Sequence, residues 1–243
     1  VIGRLATAEN MGDAGSSKVR PPSYVTPLEG LKARYPQAQI LHVEADDPQA
    51  AAEAAAKADV AVVVAGFTKL DEGEGVGTDT MTSPVLRSLY PPLPEGASEP
   101  AGDSDSIMTD GYGGDRAALG LRAVDEEIIT AVAAANPRTV VALVGAGTIM
   151  MEAWRSKVPA IVMMWYAGME GGHALADVLS GAVNPSGRLP FSIPTSEDHL
   201  PAFDRTWTTV TYDRWHGQRL LDRLGVEAAF PLGWGLSYTT YRL

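Results

Sequence analysis

The residues with the clearest chemical potential in this chain are Asp71-Glu72-Gly73-Glu74-Gly75, three carboxylates on a glycine-punctuated stretch directly after the apolar run Asp59–Phe67. A carboxyl group serves as a general acid when desolvation raises its pKa and it lies within hydrogen-bond reach of the atom it protonates. In open α/β sheets, ligands collect outside the carboxyl ends of the strands, which is where this stretch would sit. The same composition also suits a solvated acidic turn. Spacing alone leaves both readings open.

Other candidate chemistry is weaker. Gly12–Ser17 (GDAGSS) and Gly145–Met150 (GAGTIM) are glycine-rich, and the second follows an apolar run, but neither has the third glycine of a dinucleotide loop or the lysine of a phosphate loop. Both read as tight turns. His42, His173, His199 and His216 show no H-x-x-x-H spacing, so no metal site is expected. There is no G-x-S-x-G elbow for a serine nucleophile. Trp165, Tyr166, Trp207, Trp215 and Trp234 have rings that could stack on sugars, although packing is the ordinary use of any one of them.

The elements that must position these residues alternate between strand-like and helix-like patterns, as in an α/β domain with a largely parallel sheet. Expected strands are Gln39–Glu44, Asp59–Phe67, Thr139–Gly145, Ala160–Tyr166 and Leu189–Ile193, with Val1–Ile2 as the tail of another. The middle three are almost continuously apolar, which fits a sheet covered on both faces. Expected helices are Pro48–Ala58, a segment carrying Leu121, Val124, Ile128 and Val132 and stopped at Asn136–Pro137, and Glu170–Ser180 followed by Gly181. Two regions break the rhythm. Residues 76–114, about forty in number, are rich in Pro, Gly, Ser, Thr and Asp, and read as a mobile or partner-ordered lid. Residues 195–243 read as an irregular closing segment.

Composition bounds the function. The chain has 243 residues, 45% of them hydrophobic and 20% charged, so it can bury a core of its own. A net charge of −11 argues against nucleic acid as a partner. The absence of cysteine removes disulfides, thiolate catalysis and Cys-ligated zinc, and leaves the compartment open, secreted and periplasmic included. No run approaches the roughly 18 apolar residues that span a bilayer, so a soluble chain with no membrane partner is expected. The opening VIGRLATAEN lacks an initiator Met and a basic-then-apolar leader, as a fragment or a processed chain would.

Five blocks then combine: VIGRLATAENMGDAGSSKVRPPSYVTPLEGL, DVAVVVAGFTKLDEGEG, GDRAALGL with NPRTVVAL, WYAGMEGGHALADVLSGAVNPSGRLPFSIP, and TYDRWHGQRLLDRLGVEAAFPLGWGLSYTTY. In composition and order they closely resemble the C-terminal, α/β-sandwich domain of glycoside hydrolase family 3, the family of β-glucosidases and related exo-glycosidases.

The resemblance implies a three-layer α/β/α sandwich over residues 1–243 with a mostly parallel, about six-stranded sheet. It implies a (β/α)8 barrel partner, in cis or as a separate chain, whose S-D-W-like motif carries the Asp nucleophile of a retaining enzyme. The substrate would be a terminal β-D-glucosyl residue of a β-glucoside or oligosaccharide, and neither metal nor cofactor would be needed. The general acid/base would be Glu74, with Glu72 as the alternative, and Asp115 and Arg116 would be substrate-binding candidates. The same resemblance also admits a β-xylosidase-type member, or a non-catalytic substrate-binding or scaffolding domain. Three departures stand out. The chain has no S-D-W, Val76 replaces the usual aromatic residue after E-G, and about forty residues separate Gly75 from Asp115-Arg116.

Overall fold

Val62, Val63 and Val64 share one short strand whose every residue is buried, a pattern that only a sheet covered on both faces can satisfy. The computed structural model describes residues 1–12, 19, 21–72, 116, 118–204 and 207–240. In it, β1 (Ala61–Gly66), β2 (Thr139–Val144) and β3 (Ala160–Met163) form a parallel sheet in that spatial order, with Ala61 opposite Thr139 and Val140 opposite Ala160. Ile2 adds isolated parallel bridges to Val63 on one side and Val43 on the other. The first residues of the chain therefore lie between β1 and the Val43 segment.

Alternate residues of β1 feed two cores. Ala61, Val63 and Ala65 pack with Ala51 and Ala55 of the Pro48–Ala56 helix and with Ile128, Ile129 and Val132 of the Ala123–Ala135 helix.

 Val62 and Val64 point to the opposite face, where they meet Leu31 of α1 (Pro27–Arg34) and Leu175 and Ala176 of the Gly171–Leu179 helix. In chain order the helices are α1, α2 (Pro48–Ala56), α3 (Lys69–Glu72), α4 (Ala123–Ala135), α5 (Gly171–Leu179) and α6 (Gln218–Leu224). The strands thus sit between an α2–α4 layer and an α1–α5 layer.

Local chemistry sets the helix ends. Thr26 and Glu29 form a reciprocal capping box around Pro27, and the Asp47 carboxylate accepts from the Gln49 and Ala50 amides at the start of α2. At the end of α4 the buried Asn136 side chain donates to the carbonyls of Ala55 (3.0 Å) and Ala58 (2.8 Å), which ties α4 to α2. Across the sheet, α1 and α5 approach through two glycines. A Cβ on Gly30 would lie 2.0 Å from the Gly172 carbonyl oxygen, and one on Gly172 would lie 2.1 Å from that of Thr26.

Several sequence expectations need correction. Among the described residues the parallel sheet has three strands, not about six. The Gln39–Glu44 run contributes only the bridge at Val43, because its partner is the short opening segment at residues 1–3. Of Leu189–Ile193 only Ile193 enters a strand, β4 (Ile193–Pro194), which pairs antiparallel with β5 (Ala228–Phe230). The run from Ala160 stops at Met163, since Trp165 adopts a left-handed backbone conformation (φ 58°) that no strand accommodates. The closing segment is not irregular throughout, as it holds α6 and β5. Residues 76–114, read as a lid from sequence, lie outside the described residues. No helix among the described residues is long and apolar enough to cross a membrane.

The glycine contact between α1 and α5 is open to test. Gly172→Ala should push the helices apart and cost on the order of 1–3 kcal/mol, the usual range for overpacking. Urea unfolding of both chains measures it, and an unchanged midpoint would show that the layer yields freely.

Candidate active site

The acidic stretch begins where β1 ends. Gly66 has φ 137°, and a Cβ there would lie 1.9 Å from the Val144 carbonyl oxygen, so glycine is required for the chain to leave the sheet beside β2. Two side chains from the opening segment hold the exit. Arg4 donates to the Gly66 carbonyl (3.0 Å), and the buried Asn10 donates to that of Phe67 (2.8 Å). The Thr68 amide and hydroxyl then donate to the Asp71 carboxylate (2.8 and 3.0 Å), which also pairs with Arg4 at 2.9 Å. Burial opposes ionisation of Asp71, but Arg4 and Thr68 outweigh it and hold the carboxyl below its ordinary value.

Glu72, the last residue of α3, turns inward. Its side chain is only 6% exposed, and both oxygens are engaged. Oε1 accepts from the Ala146 amide (2.6 Å) and the Tyr166 hydroxyl (2.7 Å), while Oε2 meets Arg116 Nε at 2.9 Å. Arg116 also donates through Nη2 to the Thr148 carbonyl (2.9 Å), and its guanidinium lies 4.3 Å from the centre of the Phe67 ring. Its Nη1 is buried without a partner among the described residues. Burial, followed by the hydrogen bond to Glu72, pushes the Tyr166 phenol well above its ordinary pKa.

Loops after all three strands of the sheet therefore converge on one carboxylate. Gly145 makes room for it, since a Cβ there would sit 3.2 Å from the Phe67 ring and 3.4 Å from Glu72 Oε1. The left-handed turn at Trp165 directs the chain so that Tyr166 reaches Glu72, while the Trp165 ring packs edge-on against Phe191 at 5.6 Å.

The structure brings together two of the four site candidates, Glu72 and Arg116; Glu74 and Asp115 lie outside the described residues. The GAGTIM segment, read as a tight turn, has a second use, because the amide of Ala146 and the carbonyl of Thr148 receive Glu72 and Arg116. The histidines are dispersed. His173 pairs with Glu170, His199 contacts Thr195, and His216 contacts the Asp213 carbonyl. No group of three potential metal ligands occurs among the described residues. Of the aromatic candidates, Trp165 and Tyr166 lie at this edge, whereas Trp215 packs between Arg214 and Arg223, and Trp207 and Trp234 are exposed. Arg4 and Asn10 were missed in the sequence reading, since residues so far from Asp71 in the chain carry no local signal of their role.

Comparison with known proteins identifies the family. The family described as "Glycosyl hydrolase family 3 C-terminal domain" matches residues 1–238. A β-glucosidase of Bacteroides ovatus, BoGH3A, is 31% identical over 260 residues, covering 99% of this chain and 31% of that protein. The crystal structure of β-glucosidase D2-BGL from Chaetomella raphigera superposes with a TM-score of 0.75 at 26% identity, over 98% of this chain and 32% of that one. That of a β-D-glucoside glucohydrolase from Trichoderma reesei gives 0.74 at 24% identity, over 98% and 32%, and speaks to the fold alone. The chain thus spans about a third of the length of these proteins.

The Arg4–Asp71 pair has a pH signature. Because the folded carboxyl titrates below its ordinary value of 3.8, its stabilisation is present above that value and is lost as the pH falls through the lower folded one. Arg4→Met should therefore destabilise the chain most near neutrality, with the gap from the parent narrowing as the pH falls below the ordinary value of 3.8. Urea midpoints across that range check it; a gap independent of pH would assign the loss to the Gly66 contact alone.

Proposed function

Because the chain belongs to glycosyl hydrolase family 3, as its C-terminal domain, we propose that it is the acid/base-bearing domain of a retaining, exo-acting β-glucosidase that hydrolyses terminal β-D-glucosyl residues. A (β/α)8 barrel, in cis or as a separate chain, supplies the Asp nucleophile. The observation that carries the reading is the anchoring of the acidic segment at the carboxyl edge of the sheet through Glu72. Glu72 is committed to three donors within its own chain, which suits it poorly to exchanging a proton with a substrate. Glu74, the residue that the family resemblance points to, is therefore our assignment for the acid/base.

The chemistry needs a pair of carboxyl groups roughly 5–5.5 Å apart. The barrel Asp attacks the anomeric carbon as the Glu74 carboxyl gives its proton to the departing glycosidic oxygen. Glu74, now a carboxylate, takes a proton from water as that water attacks the anomeric carbon of the glycosyl-enzyme. The C–O bond to Asp breaks, and glucose leaves with its configuration retained.

Two outcomes follow. The 243-residue chain alone should not turn over p-nitrophenyl β-glucoside, since one carboxylate without its partner cannot form the covalent intermediate. In the barrel-bearing enzyme, Glu74→Ala should slow alkyl glucosides by about 10²–10⁴-fold while sparing glycosylation by dinitrophenyl glucoside, whose phenol departs without protonation. Azide should partly restore turnover of the activated substrate. Turnover by the isolated chain would remove the need for the barrel, and a silent Glu74→Ala would leave this as a substrate-binding or scaffolding domain.

A further inference from the structure

Glu72 and Arg116 flank residues 73–115 in the chain, and their side chains meet at 2.9 Å with exposures of 6% and 11%. We infer that this pair is a clasp that joins the chain on either side of residues 73–115 at the carboxyl edge of the sheet, and that Glu72 and Arg116 are positioning residues for the acid/base. The inference rests on the assignment of Glu74 made above and adds the device that delivers it.

Each half of the clasp has its own anchor in the sheet. Glu72 is bound to the loop after β2 through the Ala146 amide and to the turn after β3 through Tyr166. Arg116 is bound to the Thr148 carbonyl and stacks on Phe67, the residue following β1. A salt bridge serving only to hold a surface loop would not need neutral donors from two further strand ends. Two residues of chain reach at most about 7 Å, so whatever fixes Glu72 also limits where Glu74 can present its carboxyl group. Closing a segment as long as 73–115 costs chain entropy, and the buried pair opposes that cost at the neck. Either partner left alone would be a desolvated, unpaired charge, so the two act as a unit.

The test uses the barrel-bearing enzyme, with Glu74→Ala as the reference. Glu72→Gln and Arg116→Met should each lower kcat on an alkyl glucoside by about 100-fold, the scale of a displacement of roughly 1 Å, with KM held within about twofold. The loss should be smaller on dinitrophenyl glucoside, as expected when the acid is misplaced rather than the fold lost. The double variant should be no worse than the poorer single one. Arg116→Lys, which keeps the charge but loses the fork, should recover part of the rate. If Glu74→Ala shows the leaving-group signature while the clasp variants keep parental kcat, the clasp is wrong and the acid/base assignment stands. Losses equal for both leaving groups, accompanied by a lowered Tm, would reduce the pair to a structural role and also overturn the proposal. If the full signature, azide rescue included, appears in Glu72→Gln but not in Glu74→Ala, Glu72 is itself the acid/base and both readings fall. Silence in all three variants overturns both as well.

Discussion

A parallel sheet covered by helices on both faces leaves only its ends available for chemistry, and this constraint organises the molecule. The residues of β1 are spent on two cores, odd-numbered side chains against α2 and α4 and even-numbered ones against α1 and α5. Polar function must therefore collect where the strands stop. The loop after β1 does so under tight steric control, with Gly66 pressed against the Val144 carbonyl and Asn10 capping the next carbonyl. Burial of the strands and placement of the acidic segment are two consequences of the same layering.

Bringing carboxylates to a partly buried edge in a chain of net charge −11 requires compensation for each. Asp71 receives Arg4 from the opening segment, and Glu72 receives Arg116 from beyond residues 73–115. The two solutions differ in depth. The Arg4–Asp71 pair retains about a quarter of its exposure and holds the Asp71 carboxyl below its ordinary pKa, whereas the Glu72 pair is nearly dry and is completed by Ala146 and Tyr166. A buried ion pair adds little net stability over apolar packing, and its value lies in specifying one arrangement. The left-handed Trp165 belongs to the same design, since backbone strain there brings Tyr166 onto the shared carboxylate.

The periodic parts of the fold were legible in the sequence. β1, β2 and α2, α4 and α5 follow from apolar runs, helical spacing and stop signals such as Asn136–Pro137 and Gly181, all of which act within a few residues. The α1 helix was also written locally, in the capping box Thr26 to Glu29, but its short apolar face, Leu28 and Leu31, made it easy to pass over. The ordered blocks of residues identified the family, and with it the acidic segment as the place to look.

Tertiary structure decided which groups meet Glu72. Glu72 and Glu74 are equivalent by residue type and nearly so by position, and nothing local says that Glu72 would meet Tyr166, distant in the chain, or that Arg116 would return to pair with it. Sheet extent was likewise settled in space: Gln39–Glu44 had strand-like residues but only the short opening segment to pair with, so a single bridge at Val43 remained. Short-range signals specify elements because propensity and capping are interactions between near neighbours. Pairing of buried charges depends on which strand ends come together, and that is known only once the sheet has formed.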